Sequence, residues 1–378
     1  ALRTYEPTVG PGGTSALRPE SIGNVDLEPE VGDELELGFD GSFLDDRLGV
    51  ELTWYDQTRR DALIQVPVRP SLGFPGFQFQ NIGEITNAGL ELALNAQVAR
   101  GSGWNLDMNV NLATNSNEVA SLGGLPPQIL NAANPTTGWA GQYYVEGFPL
   151  GAIFLKNVVS ADIVGSGVDA RATNVLCESG PIAAGTSSLS RGGGAAVPCS
   201  EAPRIYQGAP IPTHEASLGT TLTLGDNLQL FAQVDYQGGH HMVNGTAAGG
   251  HLFFRVTREI QERDDPILLG YEALGADGIN QAGIMDASFA KLRRVSATYT
   301  LPDAITAGIG ADRVTLNLSA TNIAILWQAT DEVFGYPIRD PEQRDTAAGG
   351  NDPGGLHAYI QEAWPLTRRV LLTARVTF

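Results

Sequence analysis

The stretch AGLELALNAQVARGSGWNLDMNVNLATN (residues 88–115) decides the fold class of this chain. Two runs within it alternate apolar and polar residues, and a short Gly/Ser segment separates them. In the first run Leu90, Leu92 and Leu94 share one face, while Glu91 lies on the other. Because successive side chains of a β-strand point to opposite faces, this pattern predicts two antiparallel strands joined by a tight turn.

The same period of two recurs along most of the chain, whereas helical periodicity is nearly absent. The further alternating runs are residues 30–43, 47–60, 214–224, 228–238, 291–302, 313–322 and 368–378. With the first pair they make about nine strands of roughly ten residues each, longer than the strands of most globular sheets. The sequence therefore predicts an all-β, antiparallel fold.

Alternation alone fits both a secreted β-sandwich and a membrane-spanning β-barrel, because the apolar face can meet either protein or lipid. Short turns alternate here with very long connections, as they do in outer-membrane barrels. The polar face is rich in Asn, Gln, Thr and Asp, which suits a wide, water-filled lumen. Aromatic residues fall near two predicted rims: Phe39, Trp104, Tyr299 and Phe378 at the short turns, and Trp54 and Tyr236 at the long loops. These features favour the barrel.

The balance of charge argues against a nucleic-acid binder, since 23 Lys and Arg face 42 Asp and Glu for a net charge of −19. The chain has no apolar run near the ~18 residues of a membrane-spanning helix, and its first residues do not read as a signal peptide. Cys177 and Cys199 flank a Gly/Ser-rich stretch without a CxxC pattern. This spacing disfavours zinc and favours a loop disulfide formed in an oxidising compartment, with two free thiols as the alternative.

The number of strands raises a difficulty for a closed barrel. Bacterial single-chain barrels have an even number of strands, and an open sheet would leave unpaired edges in lipid. We therefore expect residues 1–378 to be the C-terminal part of a larger barrel. A second chain that supplies the remaining strands is the alternative.

Six segments, in the same order, resemble the C-terminal barrel region of the SusC/RagA-like branch of TonB-dependent outer-membrane transporters. They are GNVDLEPE (23–30), NIGEITNAGLELALNA (81–96), VEGFPLGAIF (145–154), GAPIPTHEASLGTTLTLGDNLQLFAQVDYQGGH (208–240), FAKLRRVSATYTLP (289–302) and VTLNLSATNIAILW (314–327). The resemblance covers nearly the whole chain. It implies a barrel of about 22 strands with long extracellular loops, in the outer membrane of a Gram-negative bacterium.

The resemblance also implies a function. The expected activity is uptake of oligosaccharides or peptides, energised through TonB, with no enzymatic activity and no cofactor. The expected partners are a SusD-like surface lipoprotein, TonB (through the N-terminal region), the barrel-assembly machinery and outer-membrane lipids. The final strand looks like the signal that this machinery reads, with Ala374, Val376 and Phe378 as its residues. The family's plug domain, TonB box and earlier barrel strands do not occur in these residues.

A second function from another class remains open. In it the barrel anchors a surface structural or adhesion assembly, and the loops bind neighbouring molecules. The loop aromatics could stack on sugar rings, pack on a partner lipoprotein or pack on one another: Phe74, Phe77, Phe79, Tyr143, Tyr144, Phe148, Phe253 and Phe254.

Two groups of polar residues have the chemistry of metal ligands. His240, His241, Met242 and His251 are close in sequence, but adjacent histidines on an extended segment point opposite ways, and we expect no metal site. The acidic loop 340–355 could offer Asp340, Asp345 and Asp352 to calcium, but it lacks the ligand spacing of an EF-hand and fits a solvated loop better.

The remaining carboxylates do not suggest catalysis. Glu51, Glu91, Asp107 and Asp235 are spread along the predicted lumen face, and acid–base catalysis would need two of them paired around a substrate. The sequence thus predicts no catalytic residues and no metal ligands, and it leaves the substrate-binding residues unknown.

Overall fold

The computed structural model describes residues 2–129, 141–275, 278, 281–342, 358–360 and 365–378. The first strands are β1 (Thr4–Val9), β2 (Ser15–Ser21), β3 (Val31–Phe43), β4 (Leu48–Pro67), β5 (Phe77–Gly101), β6 (Trp104–Thr114), β7 (Ser116–Ser121), β8 (Gln128–Ile129), β9 (Gln142–Tyr144), β10 (Ala152–Leu155), β11 (Val158–Val164) and β12 (Arg171–Glu178). The others are β13 (Leu189–Ser190), β14 (Ala196–Pro198), β15 (Arg204–Tyr206), β16 (His214–Leu224), β17 (Leu228–Gly238), β18 (His241–Asn244), β19 (Ile284–Asp286), β20 (Phe289–Thr300), β21 (Arg313–Gln328), β22 (Glu332–Val333), β23 (Tyr336–Pro337), β24 (Tyr359–Ile360) and β25 (Arg369–Thr377).

The helices are few and short. They are α1 (Gly245–Gly249), α2 (Arg258–Glu262), α3 (Pro266–Ala273) and α4 (Asp303–Thr306), with a π-helical turn over Gly250–Phe254 and 3-10 turns over Pro11–Gly13, Pro70–Leu72, Gly167–Asp169 and Ala307–Ile309. Among the described residues, none of the helices has the length and apolar character to cross a membrane.

One large antiparallel sheet, which we call the wall, contains every strand that the alternation predicts. Its order is β3-β4-β5-β6-β16-β17-β20-β21-β25, and β7 pairs with β5 as a tenth member. The predicted hairpins β3–β4, β5–β6, β16–β17 and β20–β21 all form. The strands and their antiparallel pairing are therefore confirmed.

Some wall strands are longer than the sequence suggested. β4 has 20 residues and β5 has 25, against the ~9–11 that cross a bilayer. β5 begins at Phe77, and its first part pairs with the end of β4 and with β7. The connection after Leu301 is also longer than a tight turn, because it includes α4.

The two faces of the wall differ as predicted. Leu218 lies opposite Val110 and Val234 in the neighbouring strands, and these side chains form part of an apolar outer face. Leu37 and Leu372 on this face are 62% and 70% exposed. Large apolar side chains exposed in such numbers would be costly in water, whereas lipid is their natural neighbour.

Gly89 shows why one wall position requires glycine. A Cβ at this position would lie 2.1 Å from the carbonyl oxygen of Thr114 and 2.6 Å from the hydroxyl of Tyr55. The Tyr55 side chain therefore crosses the strand where Gly89 leaves space, and its hydroxyl accepts a hydrogen bond from the amide of Asn115 at 3.1 Å. This contact ties three strands together at the outer rim.

The long connections pack into a layer over one end of the wall, which we call the cap. It contains its own apolar clusters, unlike the wall. One is built on Phe154, which is fully buried and contacts the rings of Tyr143, Phe148 and Tyr206. Others surround Met242 and Met285, or join the outer parts of β4 and β5 to Val119 and Leu122.

A lobe of the cap combines a three-stranded sheet (β11, β12, β14) with α3. Asp265 begins α3, since its carboxylate accepts hydrogen bonds from the backbone N–H groups of Ile267 and Leu268, and Pro266 occupies the first turn. The side chains of Cys177 and Cys199 form a disulfide in the core of this lobe. The bond joins β12 to the turn that follows β14.

Candidate functional site

Strand pairing aligns the side chains of the polar face of the wall in rows. Asn111, Ser217, Asp235 and Lys291 occupy one such row across four neighbouring strands. Hydrogen bonds run along the rows, such as Ser217 to the carboxylate of Asp235 at 3.0 Å. This face has the hydrophilic character expected of a barrel lumen.

A recess of ≈ 490 Å³, the lower recess, lies on this face. Four carboxylates and one guanidinium are among its lining groups: Glu51, Glu91, Glu215, Asp235 and Arg293. The structure thus brings together three of the four lumen carboxylates predicted from the sequence. Asp107 instead accepts a hydrogen bond from Asn105 nearer the short turns.

A second recess of ≈ 610 Å³, the upper recess, lies where the wall meets the cap. It continues the same column of side chains, because Ala113, Asn115 and Asn117 follow one another on the inner face. The segment Tyr206–Ile211 of the cap forms another side of it, and His241 borders it as well. Both recesses lie along the polar inner face, the lower one at Ala113 and the upper one at Asn115 and Asn117.

A charged network fixes part of the cap to the wall. Lys291 is 7% exposed and forms ion pairs with Asp340 and, at 2.9 Å, with Glu342. Arg293 donates to Asp235 at 2.8 Å and to both carboxylate oxygens of Glu342. Burial alone would raise the pKa of Glu342, but hydrogen bonds from Arg293 and Lys291 outweigh it and lower that pKa.

Sequence reasoning did not identify Lys291 or Arg293. An irregularity in β20 leaves Arg293 without a paired residue in the ladders to β17 and β21, so that Lys291, Arg293 and Arg294 lie together on the inner face. The only signal in the sequence is the cationic cluster KLRR in an otherwise acidic chain. The irregularity itself cannot be read from alternation.

The proposed calcium ligands are only partly within the described residues. Asp340 is buried and paired with Lys291, and it also accepts hydrogen bonds from the backbone N–H groups of Glu342 and Leu366. These bonds give Asp340 a structural role. Asp345 and Asp352 lie outside the described residues.

His251 has its own hydrogen-bond partners in the cap, apart from His240 and His241. His251 is buried between Thr257, at 2.7 Å, and the carboxylate of Glu272, at 2.9 Å. Arg263 donates to the same carboxylate at 2.8 Å. Within the part of the chain that the structure describes, the one cluster of potential metal ligands is Glu259, Glu262 and Asp264, which includes no histidine.

The loop aromatics divide into two groups. Tyr143 and Phe148 belong to the buried cluster around Phe154, and Phe74 contacts Tyr5, so these rings pack on other loop residues. Phe253 and Phe254 are both 71% exposed. Self-packing thus accounts for part of the set, and the side chain of Phe77 lies outside what the structure describes.

The last strand, β25, pairs with β21 through Val376 and Ala374, and Phe378 follows it at the short-turn rim, 82% exposed. Its position agrees with an assembly signal, which stays a prediction.

Comparison with known proteins shows which proteins this chain is similar to. Residues 3–174 match the family model described as TonB dependent receptor-like, beta-barrel. TonB-dependent receptor P26 of Formosa agariphila is 24% identical over 94% of this chain, which covers 35% of that relative. The receptor SusC of Bacteroides thetaiotaomicron is 29% identical over 29% of this chain, covering 11% of SusC. The chain spans about a third of the length of the P26 relative that it matches.

The RagAB peptide transporter superposes with a TM-score of 0.73 at 20% identity, over 100% of this chain and 38% of the other. RagAB in its open-open state gives 0.71 at 21% identity, with the same coverage. This likeness shows the fold.

The chain has the fold of a β-barrel segment, and it is similar in sequence and structure to TonB-dependent receptors, which confirms the resemblance seen in the sequence. Receptors with this barrel are outer-membrane proteins of Gram-negative bacteria, which gives the location of the chain. The matched proteins are named as receptors and transporters, which agrees with the expectation that the chain has no enzymatic activity.

Proposed function

We propose that the chain is the C-terminal part of a barrel of about 22 strands that imports hydrophilic nutrients across the outer membrane with energy delivered through TonB. The polar inner face of the wall carries this proposal, since hydrogen-bonding side chains line both of its recesses. The family match supports the coupling to TonB. An N-terminal plug and TonB box would lie in the remainder of the protein.

The substrate and the surface partner follow from likeness alone. RagAB is named as a peptide transporter, and SusC is among the relatives. We infer that the cargo is an oligosaccharide or a peptide and that a SusD-like lipoprotein covers the cap. The barrel-assembly machinery would read Ala374, Val376 and Phe378 in the last strand.

The test uses the complete receptor in its own bacterium. Cells that carry or lack its gene are given a mixture of labelled oligosaccharides and peptides, and uptake is followed with and without a protonophore. We expect at least one cargo to accumulate only with the gene and only while the inner membrane is energised. Uptake that stays the same in the presence of the protonophore would refute coupling through TonB.

The second candidate function is anchoring of a surface assembly. The exposed Phe253 and Phe254 of the cap favour it, because exposed apolar pairs often mark contacts between proteins. Cells without the gene would then lose adhesion or surface structure while their uptake stayed unchanged.

A further inference from the structure

The upper recess differs in chemistry from the wall around it. Its lining residues are Asn115, Ser116, Asn117, Pro149, Tyr206, Gln207, Gly208, Ala209, Ile211, Thr213, Gly239 and His241. No Asp, Glu, Lys or Arg is among these described residues, although the chain has 42 acidic and 23 basic residues. The lower recess, directly below, has five charged side chains in its lining.

Three side chains that line the recess have a polar group without a hydrogen-bond partner among the described residues. The Nδ1 atom of His241 is buried and has no hydrogen-bond partner among the described residues. The Tyr206 hydroxyl and the Gln207 side-chain amide likewise make no side-chain hydrogen bond within the described part of the chain. The Tyr206 and Gln207 groups border the recess, so they can bind a ligand without breaking a described side-chain hydrogen bond.

The fold holds these groups in place. The Tyr206 ring packs on Phe148 and Phe154 with centroids 5.3 and 5.7 Å away. Gly208 has φ +112°, and a Cβ there would lie 2.4 Å from the Nδ1 atom of His241. The Gly208 backbone therefore packs directly on that nitrogen and covers it, which only a residue without a side chain can do.

The charge of His241 agrees with this geometry. Burial lowers the pKa of the imidazole, against a smaller opposing effect from Asp286. The ring is then neutral at neutral pH and adds no charge to the recess. A charged ligand group would find no counter-charge among the described residues that line this recess.

We propose that the upper recess is a binding subsite for an uncharged, hydrogen-bonding unit of the cargo, held by Tyr206 and Gln207 beside the neutral ring of His241. The proposal rests on the proposed transport function, which it deepens. The same chemistry could come from sugar hydroxyls or from peptide amides. Groups that carry a charge are excluded from this subsite and meet the lower recess instead.

The experiment uses the complete receptor in detergent with a single reporter cysteine. Thr213→Cys reports on the upper recess and Ala93→Cys on the lower. Each is labelled with cationic and with anionic methanethiosulfonate reagents. We expect the labelling rate with the cationic reagent, divided by the rate with the anionic reagent, to be several-fold higher at Ala93→Cys than at Thr213→Cys. The carboxylates of the lower recess attract cations. Equal ratios at the two positions would contradict the proposed difference in charge between the two recesses.

Protection of Thr213→Cys then tests binding. The probes are maltohexaose, N-acetyl-hexaglycine amide and hexagalacturonate. We expect one of the two neutral probes to slow labelling and hexagalacturonate to leave it unchanged. Protection by maltohexaose would identify sugar hydroxyls as the bound groups, and protection by N-acetyl-hexaglycine amide would identify peptide amides. No protection by either neutral probe, or equal protection by hexagalacturonate, would overturn the proposal.

A matched pair of variants assigns the contact. Tyr206→Phe removes only a hydroxyl from the recess, and we expect it to weaken protection by about threefold to tenfold, the contribution of one hydrogen bond. Tyr143→Phe makes the same change on the same aromatic cluster outside the recess lining, and it should leave protection unchanged. This labelling needs neither TonB nor an energised membrane, so its failure is distinguishable from a failure of the transport hypothesis.

Discussion

The wall and the cap solve the problem of apolar side chains in opposite ways. In the wall, Leu372 and its neighbours on the outer face are largely exposed, since lipid takes the place of a protein core. In the cap, Phe154 and Val243 are fully buried among other side chains, as in a soluble domain. One chain therefore contains a membrane surface and a water-soluble layer, and a change of the same kind should have different effects in the two.

The largest expected effect is the loss of a cap core. Phe154→Ala removes a ring with three aromatic neighbours and should destabilise the cap by about 3–5 kcal/mol. Hydrogen exchange of the complete receptor should then rise in the cap and stay low in the wall. Tyr5→Ala, which removes an exposed ring at the N-terminal hairpin, is the control. A parallel loss of protection in the wall would show that the two regions are not separable.

The second effect tests which face of the wall meets lipid. Leu218→Arg places a charge on the outer face near the middle of β16 and should cost about 2–4 kcal/mol of barrel stability. Thr221→Arg, on the inner face of the same strand opposite Asp107, should be tolerated. Denaturant unfolding in detergent, with heat-modifiable migration on gels, measures both. Equal losses would contradict the assignment of the faces.

The smallest expected effect is on the contact between the two regions. The pKa of Glu342 is lowered in the fold, so its ion pairs contribute stability above its unfolded-state pKa and lose it as the pH falls through the folded value. Exchange of the segment 331–342, corrected for the intrinsic rate, should rise by about tenfold or less between pH 7 and pH 4, because Glu342 is partly solvated. Glu342→Gln should remove most of this pH dependence. An unchanged dependence would exclude Glu342 as its source.

Much of the wall could be predicted, because each strand needs only local information. Alternation such as that of Leu90, Leu92 and Leu94 fixes both the strand and the face, and tight turns such as Gly225-Asp226-Asn227 fix the pairing. Even so, alternation did not show where a strand stops, and β4 and β5 continue into the cap.

The functional recesses were harder to predict for a physical reason. Glu51, Glu91 and Asp235 could be placed on the lumen face one by one, but their common recess depends on the register between strands far apart in sequence. Tyr206 and His241 come from loop segments without periodicity. Their meeting depends on how the cap folds over the wall.

The sequence by itself determined the all-β class, the order of the wall strands and the two faces, since a period of two and short turns act over a few residues. The tertiary structure alone decided the irregularity in β20 that turns Arg293 inward, the ion pairs of Lys291 with Asp340, and the uncharged upper recess. These features arise from contacts between residues tens to more than a hundred positions apart. Such contacts are formed by packing and register, which no local pattern encodes.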